Sequence, residues 1–292
     1  MRPNIGTLVL TLSICLALAA PAQDAQPAKA TKSIAITFNE LPAAEAFGEV
    51  HPEAINFQIL AALKKHGVKA AGFVVGDNLE NHYDLIGQWL NDGHMIGSMT
   101  FNYEDLNEVG FAKFIEEIAW GADELETMLE SFGQKKRYFR YPFLHYGIDK
   151  ESKRQVKGYL ESQGITVAHA TVCPDDHMYN SALNKLGKIL DSAQYVWARD
   201  EYFNHLFDEL ERAEFVSEDL EGRQVRQILM LQANRLNAIF LDELLTAIEE
   251  AGYKFIPLDA ALKDNVYAQG ENYYGLRGIG YLDMLAQEEE AE

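Results

Sequence analysis

Two stretches of this chain hold side chains suited to metal or acid–base chemistry. In Cys173-Pro174-Asp175-Asp176-His177, the three residues Asp175, Asp176 and His177 could converge with His145 and Glu40. Carboxylate and imidazole are accepted ligands of a divalent ion such as zinc. The second stretch, Thr37-Phe38-Asn39-Glu40, ends in an amide beside a carboxylate. An amide has no titratable lone pair, so Asn39 cannot take a proton from water, whereas Glu40 keeps an ionisable group. The simpler reading of both stretches is a solvated polar loop. His51, His66, His82, His94, His169 and His205 show no metal-ligand spacing, and Cys173 has no paired base in the sequence.

The elements that must carry these residues alternate along the whole chain. Short β-rich runs at 34–38, 70–75, 94–98, 138–141, 166–173, 228–231 and 254–257 are separated by helical patterns at 51–66, 83–90, 108–132, 150–163 and 241–251. The first helix places Ile55, Ile59, Leu60 and Leu63 on one face. Residues 180–220 read as a long, mostly helical insertion. Alternation of this kind predicts a parallel α/β architecture, a distorted (β/α)7 barrel resembling a TIM barrel, in a single domain. Both candidate stretches follow strands, and on such barrels sites gather at the C-terminal strand ends.

Longer runs then carry a resemblance. KKHGVKAAGFVVGDNLENHYDLIGQWLNDGHMIG, RYFRYPFLHYG and QILMLQANRLNAIFLDELL stand in the order and spacing of the polysaccharide deacetylase family. This is the NodB-homology, carbohydrate esterase family 4 fold, and the resemblance covers residues 33 to about 285. It implies a metal-dependent N-deacetylase, and residue by residue it shows departures. The family's T-F-D-D string, base then metal ligand, is Thr37-Phe38-Asn39-Glu40 here. The two metal-binding histidines are Met99 and Tyr103, and a thioether and a neutral phenol are poor zinc ligands. The motif R-x-P-[YF] survives as Arg140-Tyr141-Pro142-Phe143. With Asn39 as its neighbour, Arg140 either donates to backbone carbonyls or recruits Glu40. The general-acid histidine is replaced by Gln232, which can donate a hydrogen bond but not a proton.

The resemblance therefore names Asn39, Arg140 and Gln232 as the catalytic positions, with base and acid lost. Glu40, Met99 and Tyr103 are the degenerate metal positions, and no cofactor is expected there. Asp175, Asp176, His177 and His145 form the alternative metal set, for zinc or another divalent ion. Tyr141, Pro142, Phe143 and Tyr179 are the expected sugar-binding residues, their rings lining one continuous open cleft. The favoured function is a glycan or protein partner bound in the old groove, without catalysis. The alternative is an active hydrolase on carbon–nitrogen, non-peptide bonds of acetylated glycans, with an altered or relocated site.

Composition narrows the partners. Residues 1–22 read as a secretory signal: Arg2, an apolar run from Ile5 to Ala19, and the small-residue site Ala20-Pro21-Ala22. Cleavage near Ala22 predicts a secreted or periplasmic protein with a polar linker at 23–32, a domain at 33–262 and an acidic C-terminal extension at 263–292. Removing 1–22 takes one base and no acid, leaving 24 Lys+Arg against 45 Asp+Glu and a net charge of −21. Such charge argues against nucleic acid and anionic membranes. It suits a neutral glycan and favours a basic one, such as a deacetylated amino sugar. No later segment is apolar for the ~20 residues that span a bilayer. One remaining cysteine, Cys173, leaves the fold to its core rather than to a disulfide.

Overall fold

The computed structural model describes, apart from Met1, residues 32–44, 51–187, 189–270 and 273–289. The predicted signal and most of the predicted linker lie outside the described residues. From Thr31 onward the chain forms one compact unit.

Seven parallel strands alternate with helices: β1 Ser33–Leu41, α1 Pro52–Lys65, β2 Ala71–Val74, α2 Tyr83–Asn91, β3 Met95–Ser98, α3 Leu106–Ser131, β4 Arg137–Phe139, α4 Lys150–Ser162 and β5 Ile165–Val167. There follow α5 Asp176–Lys185, α6 Ser192–Glu221, β6 Gln227–Gln232, α7 Arg235–Glu250, β7 Lys254–Phe255, α8 Leu258–Ala261 and α9 Tyr281–Glu289. The sheet runs β5-β4-β3-β2-β1-β6, and β7 pairs with the start of β1. A single parallel bridge, Val172–Leu229, brings the run after β5 back to β6 at the other end of the sheet. This is the distorted (β/α) barrel that the alternation predicts. Buried on both faces, β1 and β6 read as continuous apolar runs rather than alternating ones.

Helix starts follow from their caps. Asp105, Asp149 and Asn234 accept backbone N–H groups of α3, α4 and α7, and Asp191 with Gln194 forms a reciprocal capping box on α6. Asn234 explains why α7 begins at Arg235, earlier than apolar periodicity suggested. The predicted strand 166–173 ends at Val167 instead. Beyond it the carbonyl of Ala168 is taken by Arg140 Nε at 2.5 Å, so it serves the barrel interior and not a strand ladder.

Two close approaches shape the mouth of the barrel. A Cβ at Gly97 in β3 would lie 2.7 Å from the Phe73 ring, and one at Gly121 in α3 would lie 2.8 Å from the Met99 carbonyl. The second lets α3 press directly on the loop after β3. Glu117 of α3, fully buried, then pins that loop through Asn102 N at 2.7 Å and Asn102 Nδ2 at 2.9 Å. Burial pushes the Glu117 carboxyl up, but hydrogen bonds from Lys113 and Asn102 outweigh it and hold it below the usual range.

The C-terminal extension contributes to the core. Tyr281, Leu282 and Met284 of α9 are at most 1% exposed, each burial stabilising by about 1.5–3 kcal/mol. Arg212 on α6 holds Asp283 with two contacts of 2.9 and 2.5 Å. No helix among the described residues is long and apolar enough to cross a membrane.

Candidate functional site

The floor of the mouth is built around Arg140, which follows β4 and is fully buried. Besides Ala168, it donates to Asn39 Oδ1 and Thr37 Oγ1, both at 3.2 Å, and its guanidinium lies 4.5 Å from the centre of the Phe73 ring. It makes no ion pair among the described residues. Burial pushes its pKa down to about 10. Of the two roles open to it in the sequence, it takes the structural one, donating to neutral oxygens. Asn39 turns its amide nitrogen to the sulfur of Met230 at 3.2 Å.

The rim is built around Glu40. Between Phe38 and Leu41 the pairing of β1 with β2 shifts register, and Glu40 sits in this irregularity at φ 61°. Such a bulge re-aims a side chain at a strand end. Glu40 Oε1 accepts from the Tyr103 hydroxyl at 2.8 Å and from Gln232 Nε2 at 2.5 Å. Burial, then the Glu40 charge, pushes the Tyr103 phenol far above its ordinary range, so it stays protonated and donates. Gln232 is fixed in turn by Asp176, which accepts its backbone N–H at 2.7 Å and the Asn237 amide at 2.5 Å. Burial outweighs these donors and pushes the Asp176 carboxyl up to about 6.

Five non-glycine residues among those described have positive φ: Glu40, Tyr103, Phe143, Leu144 and Asp175. All lie at or beyond the C-terminal ends of β1, β3, β4 and β5. Each such conformation costs about 1–2 kcal/mol, so the backbone strain gathers at the strand ends that form the mouth.

A divalent metal does not fit the inherited positions. Met99 is fully buried in an apolar cluster with Ala71, Phe73, Val75 and Tyr138. The Tyr103 proton is committed to Glu40, whose contacting oxygen already accepts two donors. The alternative set is not assembled either. Asp176 faces inward to Gln232 and Asn237, Asp175 and His177 are exposed, and His145 Nδ1 pairs with Asp105 Oδ2 at 2.8 Å. No group of three or more His, Cys, Asp or Glu among the described residues could hold a metal. Burial pushes the Cys173 thiol up to about 12.

The expected continuous aromatic cleft is corrected by packing. Tyr141 is core, 3% exposed, stacked on Phe114 at 5.9 Å and against Tyr146 at 4.5 Å. Pro142 is buried in the short 3-10 turn Pro142–Leu144. Phe143 is half exposed and packs on Tyr103 at 4.8 Å. Tyr179 lies elsewhere, in a cavity between α5 and α6. Two features escaped the sequence reading: Asp176 as the anchor of Gln232, and the Asp105–His145 pair that ties the loop after β4 to the cap of α3. The capping position of Asp105 before α3 was the available signal for the second.

Comparison with known proteins agrees with this architecture. The family model for polysaccharide deacetylase matches residues 26–165. Over 248 residues, 85% of the chain, identity is 23% to the peptidoglycan-N-acetylglucosamine deacetylase PgdA of Listeria monocytogenes, of which 42% is covered. The chain thus spans about two fifths of that relative's length. Among solved structures, PdaA of Bacillus subtilis, a family 4 carbohydrate esterase, aligns with a TM-score of 0.54 and 21% identity over 80% of this chain and 81% of that one. A family 4 pseudoenzyme from Bacillus anthracis aligns at 0.52 and 16% identity, over 81% and 67%. A mutant of that pseudoenzyme, described as having restored enzymatic activity, aligns at 0.53 and 17% over 81% and 69%. In sequence and fold the chain resembles the polysaccharide deacetylases of carbohydrate esterase family 4.

Proposed function

We propose that this protein is an exported deacetylase relative that binds glycan at the barrel mouth without hydrolysing it. The observation that carries the reading is the occupation of Glu40 by Tyr103 and Gln232. Where the family resemblance places a metal ligand, two side-chain donors share one carboxylate oxygen. Beside it, Asn39 has no titratable lone pair to act as a base and Gln232 has no acidic proton to give a leaving amine. The sequence supports export through Arg2, the apolar run and the Ala-x-Ala site, and the relative from Listeria monocytogenes is named for peptidoglycan N-acetylglucosamine.

Phe143, half exposed beside Tyr103, supplies a ring face at the mouth. Aromatic contacts of this kind contribute about 1 kcal/mol each. Acetate release from acetylated chitooligosaccharide and peptidoglycan fragments is expected to stay at the uncatalysed background. Binding of the same oligomers by calorimetry is expected, and it should fall about tenfold, or 1.4 kcal/mol, on Phe143→Ala. The combined substitutions Asn39→Asp, Glu40→Asp, Met99→His, Tyr103→His and Gln232→His should create zinc binding on the retained scaffold. The activity restored in a mutant of the Bacillus anthracis neighbour makes this a reasonable test. Acetate release by the unaltered protein, lost on Glu40→Gln, would overturn the reading.

A further inference from the structure

The segment between β5 and β6 holds a cavity of about 350 Å³ walled by α5 and α6. Its aromatic wall is Tyr179 and Trp197, joined by Met178 and His205, with Asp175 and Glu201 at its edge. Trp197 and Met178 are 51% and 61% exposed, a large apolar surface for a chain of this charge. Tyr179 lies flat enough on His205, 5.4 Å at 31°, to present a fixed ring wall. The volume is at the small end of ligand pockets, roughly 300–1,000 Å³.

Charge at this cavity has one sign. The lining contains two carboxylates and no Lys or Arg. Burial, then the charges of Glu201, Asp175 and Asp208, pushes the Tyr179 phenol up, which places three carboxylates in electrostatic reach of that ring. Asp175 precedes α5 at φ 45° and does not cap it. Neither Asp175 nor Glu201 has a side-chain hydrogen bond or ion pair among the described residues. Carboxylates set at the edge of an aromatic wall complement a ligand with a flat apolar face and a positive charge, because the ring faces attract cations as well.

We propose that the α5–α6 cavity is a binding subsite for an amine-bearing sugar residue, the ring lying on Trp197 and Tyr179 and the ammonium facing Asp175 and Glu201. This deepens the glycan-binding reading above and rests on it. A phosphorylated or uronic acid residue would be repelled, and an N-acetylated one would keep only the ring contacts.

Calorimetry of the whole protein with the glucosamine pentasaccharide and its fully N-acetylated counterpart tests this. The amine-bearing oligomer should bind at least tenfold more tightly, and added salt should erode the difference. Trp197→Ala should weaken it at least tenfold with an unchanged melting temperature. The double variant D175N/E201Q should abolish the preference and leave the acetylated oligomer's affinity intact. Equal affinity for the two oligomers, or a preference that survives the double variant, would overturn the subsite. If the acetylated oligomer binds and Phe143→Ala weakens it while Trp197→Ala and the double variant change nothing, the subsite falls and the groove reading stands. If neither oligomer binds, both fall.

Discussion

Arg140 and Glu40 are charged groups of opposite sign in one barrel mouth, yet their surroundings differ. At the floor, the guanidinium is wholly enclosed and held by a carbonyl, an amide oxygen and a hydroxyl. At the rim, the half-buried carboxylate is satisfied by a phenol and an amide. In the pattern the family resemblance implies, each charge would face its opposite, an aspartate for the arginine and a metal for the carboxylate. At the floor, oxygens of β1 and of the segment after β5 converge on the cation, and removing it would leave them without that donor. At the rim, Tyr103 and Gln232, both half-buried, meet Glu40 at a single oxygen. The floor is a fully buried polar network, whereas the rim network is half-buried and centres on one carboxylate oxygen.

The largest test of this contrast is Arg140→Leu. Leaving the Ala168 carbonyl and Asn39 amide oxygen without donors should cost about 3–5 kcal/mol in urea unfolding. A loss below about 1 kcal/mol would show that the guanidinium does not organise the floor.

Asp176 lies between floor and rim, and its effect has a sign. A carboxyl raised to about 6 in the folded protein, from about 3.9 unfolded, binds its proton more tightly when folded. Its favourable contribution is present at low pH and is lost as pH rises from about 4 through about 6. Asp176→Asn should therefore gain on the order of 2 kcal/mol relative to the parent between pH 4 and pH 7, read from paired denaturation curves. A gap that narrows with rising pH would mean that the donors from Gln232 and Asn237 outweigh burial.

Tyr103→Phe removes a donor to Glu40 Oε1 and should cost about 1–2 kcal/mol. In a double-mutant cycle with Gln232→Leu, the two losses should fail to add, since both donors share one oxygen. Strict additivity would mean that the rim is not a network. The smallest effect is expected at Phe143→Gly. Relief at φ 56° offsets the lost contact with Tyr103, leaving stability within about 0.5 kcal/mol while oligosaccharide binding weakens.

Residue types alone determined which chemistry the inherited positions cannot perform. An amide at Asn39, a thioether at Met99 and an amide at Gln232 exclude proton transfer and tight zinc ligation wherever they point. Alternating apolar runs likewise specified the barrel and the strand ends that carry Asn39, Arg140 and Gln232, because period and burial are written locally. What each group does instead was decided by the tertiary structure. Tyr103 reaches Glu40 only because Gly121 lets α3 press on the loop after β3 and Glu117 pins it. Tyr141 looked like a groove residue and is core, because Phe114 on α3 stacks on it from 27 positions away. Asp176 looked like a metal ligand and became an anchor because β6 and α7 bring Gln232 and Asn237 to it. Partners distant in sequence meet only when the sheet closes, and no local pattern of residues records that meeting.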